Sequence, residues 1–164
     1  MTAYDPSEWH ELFVATAGAS AALAGLVFVA VSINIERIIG YKGLPERALE
    51  TLLYLVLVLL ISIVGLIPSQ SHVALGVELL VLSLGVGGGI TRLRTIQIDS
   101  GEVPLAWTFS RWAVRFLAIA PLVIGGAGVL VESGGGLYWI VAGIVFAIGA
   151  AVASAWVLLV EILR

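Results

Sequence analysis

The sequence contains no cysteine, and that absence removes disulfides, thiolate metal sites and a cysteine nucleophile together. Charge is scarce as well: 12% of residues are charged, about half the share of an ordinary soluble domain. A soluble chain covers its surface with polar side chains, and this one has too few of them. Histidine is limited to His10 and His72; with Glu8, Glu11 and Glu78 nearby they make a thin case for metal, and no metal or cofactor is expected. No HExxH, GxSxG or P-loop pattern occurs. The glycine runs at 87–89 and 134–136 lack the Lys and Ser/Thr that a phosphate cradle requires. Enzyme activity is therefore not expected. A basic cluster of the nucleic-acid type is also missing, so no nucleic-acid partner is expected.

What fills the sequence instead is hydrocarbon. Hydrophobic residues make up 60% of the chain, and the mean hydropathy is +1.12. The apolar residues come in long runs separated by short polar knots, the pattern of a helical bundle in lipid. The runs are far longer than a membrane strand of about ten residues and show no two-residue alternation. The expected fold is all-α: a single integral membrane domain over residues 1–164, with five transmembrane helices. The spans are placed at Leu12–Ile35, Ala48–Ile67, Val73–Ile90, Ala113–Val131 and Leu137–Ile162. The start, MTAYDPSEWHE, is acidic where a secretion signal would be basic, so the first run is expected to be a genuine span.

The basic residues orient these spans. Arg37, Lys42, Arg47, Arg92, Arg94, Arg111 and Arg164 fall on one side of a five-span layout, and Arg115 lies just inside the fourth span at the same end. The other side receives the N-terminus, Pro68–His72 and Glu132–Gly136, with no Lys or Arg. The positive-inside rule places the basic side in the cytoplasm, so the expected topology is N-terminus outside and C-terminus inside. Trp9, Tyr138 and Trp139 mark the outer boundary; Tyr41, Trp107, Trp112 and Trp156 mark the inner one. The two short outer turns predict tight hairpins. Residues 91–112 form the cytoplasmic loop, whose IQIDSGEV core could make a small hairpin turning at Asp99–Gly101.

Two features carry candidate function. In the first span Ala15, Gly18, Ala22 and Gly25 recur at i, i+3, i+7 and i+10, one helix face of small residues. Such a face fits either packing within the monomer or packing against copies of itself. A similar set in the last span, Gly143, Ala147, Ala150, Ala151 and Ser154, reads as packing within the monomer, and Pro121 is expected to kink the fourth span. The second feature is Glu78, about 9 Å along the third span from His72. No basic residue is expected on its side, which leaves protonation, hydrogen bonds to Thr16 or Ser20, or a water-filled vestibule. With Thr16, Ser20 and Asn34 it makes a candidate pore or ion-binding set. Arg92, Arg94, Arg111 and Arg115 make an inner basic cluster suited to anionic lipid, or to pairing with Glu36 or Glu161.

The stretch LFVATAGASAALAGLVFVAVSINIERI resembles the first span of small bacterial multi-span membrane proteins, which implies the bacterial cytoplasmic membrane. Within it Ser20-Ala21, Gly25 and Val29-Ala30-Val31 are similar to the pore helix of Orai calcium channels. Ile33 stands at the position of the selectivity glutamate, and acidic residues replace the basic segment that precedes that helix, so calcium selectivity is not implied. The function expected from these features is a homo-oligomeric assembly that conducts ions or solutes, with the first span near the axis. The alternative is a non-conducting accessory or regulatory subunit of a larger membrane complex.

Overall fold

The computed structural model describes residues 3–41, 43–98 and 105–163. All regular structure among them is helical. A 3-10 turn, Pro6–Trp9, leads into α1 (His10–Ile33), followed by a six-residue α2 (Ile35–Gly40). The long helices α3 (Leu44–Gly65), α4 (His72–Ile98), α5 (Leu105–Leu130) and α6 (Leu137–Leu163) complete the chain. Five segments are long and apolar enough to cross a membrane: Pro6–Ile33, Leu44–Gly65, His72–Arg92, Trp112–Leu130 and Leu137–Val160. Helices suit such runs because every backbone bond is satisfied inside the segment.

The ends of these helices follow local chemistry. The Asp5 carboxylate accepts from the Ser7 amide at 3.0 Å and caps the opening turn. Pro45 occupies the first turn of α3, where its missing N–H costs no helical bond. The Ser71 hydroxyl accepts from the Ala74 amide and starts α4. Between α5 and α6, Gly134, Gly135 and Gly136 all take positive φ, which lets the chain reverse within a few residues.

α3, α4, α5 and α6 close into a ring. α3 packs on α4 and α6, α5 packs on the same two, and α3 and α5 therefore stand diagonally across the bundle. The core fills the space between them with residues such as Leu57, Ile61, Leu79, Leu122, Ile140 and Ile144. α1 lies outside this ring and packs chiefly on α3. Close approach within the ring depends on glycine. A Cβ on Gly76 would sit 2.8 Å from the Leu130 backbone nitrogen, and one on Gly125 2.9 Å from that of Ile140. Gly143, Ala147, Ala150 and Ala151 of the last span are buried, as expected of packing inside the monomer.

Several boundaries differ from those expected. The first span does not run to Ile35, because Asn34 leaves helical geometry (φ −106°, ψ 18°) and separates α1 from α2. The third apolar segment, His72–Arg92, agrees with the expected Val73–Ile90, but its helix does not stop there: Gly85 and Gly87–Gly89 lie inside α4, which continues to Ile98. Glycine is tolerated there because the helix satisfies its own backbone groups. Much of the 91–112 stretch is helical, so Ile96–Ile98 belong to α4 rather than to a hairpin strand; Asp99–Gly101 lie outside the described residues. Pro121 is buried inside a continuous α5.

Candidate functional site

The two faces of α1 have different fates. Toward α3, Phe13 and Ser20 are buried, with Leu23, Ala24 and Val27 packed beside them. The Phe13 ring occupies the space a side chain on Gly65 would fill, with Cε2 2.6 Å from that Cβ position. Next to it the Thr16 and Ser62 hydroxyls share a hydrogen bond of 2.8 Å, and each also lies within reach of a carbonyl four residues back in its own helix, so one donates across the contact and the other to its own helix. The Ser20 hydroxyl donates to the Ala17 carbonyl at 3.1 Å. On the other face Ala15, Gly18, Ala22 and Gly25 are all exposed. A Cβ on Gly18 or Gly25 would meet nothing within 4 Å. The small-residue face is thus turned away from the bundle, and packing within the monomer does not account for it. Beyond Gly25 the exposed surface becomes bulky, with Leu26, Phe28, Val29 and Ile33.

Glu78 sits elsewhere. It is half-buried on α4, and its carboxylate accepts from the Gln70 side-chain amide in the α3–α4 turn. The expected partners Thr16 and Ser20 belong to the α1–α3 contact instead. Gln70 Oε1 is buried and has no hydrogen-bond partner among the described residues. The turns and the N-terminal segment meet around this point. His72 Nδ1 lies 3.1 Å from Glu132 Oε1, the Leu137 amide donates to the Ala3 carbonyl at 2.9 Å, and Trp9 stacks edge-on against Tyr138 at 4.8 Å. An open cleft of about 410 Å³ runs between Tyr4, Asp5, Gln70, His72 and Glu132. Hydrogen bonds from the Ser7 side chain and backbone hold the Asp5 carboxyl below its ordinary value. Among the described residues no group of three or more His, Asp or Glu could hold a metal, and His10 does not join His72 in one.

The opposite end of the bundle gathers the described basic residues. Arg92 is exposed there, while the side chains of Arg94 and Arg111 lie outside the described part. Arg115 departs from the expected lipid-facing cluster. It is 4% exposed, and its Nε and Nη2 both lie 2.8 Å from Oε1 of Glu50. The pair joins α3 to α5 across the diagonal of the ring. Its partner is neither Glu36, which is exposed on α2, nor Glu161, whose side chain is not described. Sequence reasoning missed Glu50. The available signal was one acid and one base placed just inside the same ends of two spans. Asn34, expected near a pore mouth, is half-buried and donates to the Ala30 carbonyl at 2.9 Å, closing the end of α1.

The chemistry on offer is therefore contact chemistry. α1 presents an apolar stripe of small side chains on which another helix can approach closely. The polar groups expected to line a pore are engaged within α1, across the α1–α3 contact, or in the turn beside α4. The chain matches no family model, no curated protein and no solved structure.

Proposed function

We propose that this chain is a multi-pass subunit of a membrane assembly that works by lateral docking of α1 and does not itself conduct. The observation that carries the reading is the exposed stripe of Ala15, Gly18, Ala22 and Gly25. In lipid no hydrophobic force draws helices together, and association depends on close backbone contact, which small residues permit. The same stripe suits a pore lining poorly, since it offers a passing ion no polar group in place of water. The charge distribution supports a topology with the N-terminus outside and the C-terminus in the cytoplasm. The docked helix belongs to a second copy of the chain or to a larger complex that this chain regulates.

A conducting homo-oligomer is the second reading, favoured by a half-buried Glu78 bonded to Gln70, which lines an open polar cleft. One set of measurements separates the two. The protein is purified in mild detergent, placed in nanodiscs, and its stoichiometry determined with and without Gly18→Leu and Ala22→Leu. Docking through α1 requires that these changes disperse the assembly while leaving the monomer folded; an unchanged assembly removes the proposal. Reconstituted flux that falls on Glu78→Gln establishes the second reading instead. Single cysteines at Ser71, Ser133 and Ser100, labelled from outside intact cells, test the orientation.

A further inference from the structure

α1 is not the only helix with an open face. On α4, Val77, Val81, Leu84, Gly88 and Arg92 recur at steps of three and four residues and are all exposed, so they line one stripe. Gly85 flanks it. A Cβ on Gly85 or Gly88 would meet nothing within 4 Å, whereas Gly87 is turned inward against Ile119. The stripe is therefore bulky in its first half and bare backbone in its second. The open stripe of α1 has the reverse profile: Ala15, Gly18 and Ala22 come first, then Leu26, Val29 and Ile33, all exposed.

Both helices start at the same end of the bundle, where the lead into α1 and the start of α4 share the polar cleft. Distances from His10 and His72 are thus comparable depths. Ala15 and Val77 both lie about 7.5 Å along their helices, Ala22 and Leu84 about 18 Å, and Leu26 and Gly88 about 24 Å. Laid side by side, the two stripes set a small residue against a large one at every level. Two copies of α1 would instead set large against large, and Leu26, Val29 and Ile33 would hold their inner halves apart. Close contact is what drives helices together in lipid, so the match along the whole length favours α4 as the receiving surface. Within one chain α1 packs on α3 with its other face, which leaves the open stripe for a neighbour.

Charge agrees with this register. Arg92 ends the stripe of α4, and Glu36 lies on α2 just past the corresponding end of α1. Both are exposed, and neither has a partner among the described residues. We infer that the open stripe of α1 in one copy docks, in parallel, on the stripe of α4 in a second copy, with Glu36 meeting Arg92. Such a contact is head-to-tail, joining two different faces of the same chain. It rests on docking through α1 and names the surface that receives it.

The chain has no cysteine, so full-length copies carrying Ala22→Cys can be co-expressed with differently tagged copies carrying Leu84→Cys and oxidised in the membrane. Cross-linked dimers should carry both tags, at several times the yield of either variant expressed alone. Ala22→Cys copies linking to one another as readily would overturn the α4 assignment and leave docking through α1 standing. No link in any combination, from an assembly that Gly18→Leu still disperses, would mean that α1 docks on a different protein. Gly88→Leu, placed in open space on α4, should disperse the assembly as Gly18→Leu does. Dispersal by Gly18→Leu alone rejects the receiving surface, and dispersal by neither removes docking through α1 itself. Glu36→Arg or Arg92→Glu should each weaken self-association by up to about fivefold, the scale of an exposed ion pair, and the two together in one chain should restore it. Failure to restore it would show that these charges do not meet and would overturn the register.

Discussion

α1 and α3 are near equals in hydropathy and opposites in packing. Both are apolar enough to cross a membrane, yet 11% of the apolar stretch of the first is buried inside the protein and 50% of that of the second. α3 touches neighbours on several sides, while α1 leans on α3 with one face and leaves the rest open. Hydropathy thus reports that a helix suits lipid, not what it packs against. Small residues behave the same way. Gly76 and Gly125 are spent on contacts within the ring, and Gly18 and Gly25 meet nothing. The ring carries the fold, and α1 is an outrigger held to it along one seam.

The largest expected effect belongs to the ring. Glu50 and Arg115 are largely removed from solvent, and taking away one partner leaves the other charge buried and uncompensated. Glu50→Ala or Arg115→Ala should each destabilise the bundle by about 3–5 kcal/mol, measured by unfolding in mild detergent. The double change to Leu and Met should recover most of this loss, because a buried pair can be replaced by apolar side chains of similar volume. A single change costing no more than an exposed substitution would show that water reaches the pair.

A matched pair of substitutions probes the contrast more directly. Gly76→Ala forces a methyl to 2.8 Å from a backbone nitrogen of α5 and should cost roughly 1–3 kcal/mol. Gly18→Ala has open space and should stay within about 0.5 kcal/mol for the monomer. Equal costs would mean that the outer face of α1 is already packed in the folded monomer. A smaller effect is expected at the seam. Thr16→Val removes the link to Ser62, and hydrogen bonds between membrane helices average about 0.6 kcal/mol by double-mutant cycles. A cycle with Ser62→Ala should recover a coupling of that size.

The apolar helices and the gathering of charge at one end were legible because both are properties of composition along the chain. The direction of each small-residue face was not. Ala15, Gly18, Ala22 and Gly25 and the comparable set Gly143, Ala147, Ala150 and Ala151 each line one helix face, yet one set is exposed and the other buried. Periodicity names a face and leaves its neighbour open. The partner of Glu78 escaped for a different reason. Gln70 reaches it through a turn in which Ser69 takes φ 56°, a backbone state that no residue pattern here announces. Glu50 escaped because a charge one or two turns inside a span looks like an interfacial one until its neighbour across the bundle is known. The helical stretches flanking residues 99–104 read as loop because their hydrophobic runs are broken by charge, which ends a lipid-facing segment but not a helix.

The smallest effect concerns how the lead into α1 is fastened. Although α1 is peripheral, the segment before it is tied to the α5–α6 turn: the Leu137 amide bonds to Ala3, and the Gly135 amide donates to the Tyr4 hydroxyl. Asp5 follows directly, and its ionised carboxylate organises the Pro6–Trp9 turn through the Ser7 hydroxyl and amide. Those bonds favour the charged form and lower the folded-state pKa from its ordinary 3.8. A lowered carboxyl pKa contributes stability that is complete above the ordinary value and disappears as pH falls through the folded one. Acidification into that window should therefore release the Ser7 amide, seen as a lower protection factor relative to intrinsic exchange at the same pH, while amides of the ring core such as Leu57 keep their protection. Asp5→Ala should give the low protection factor at neutral pH and abolish its dependence on acid. Ser7 and Leu57 losing protection together would show that the lead and the ring open as one unit, and the outrigger description would then have to be given up.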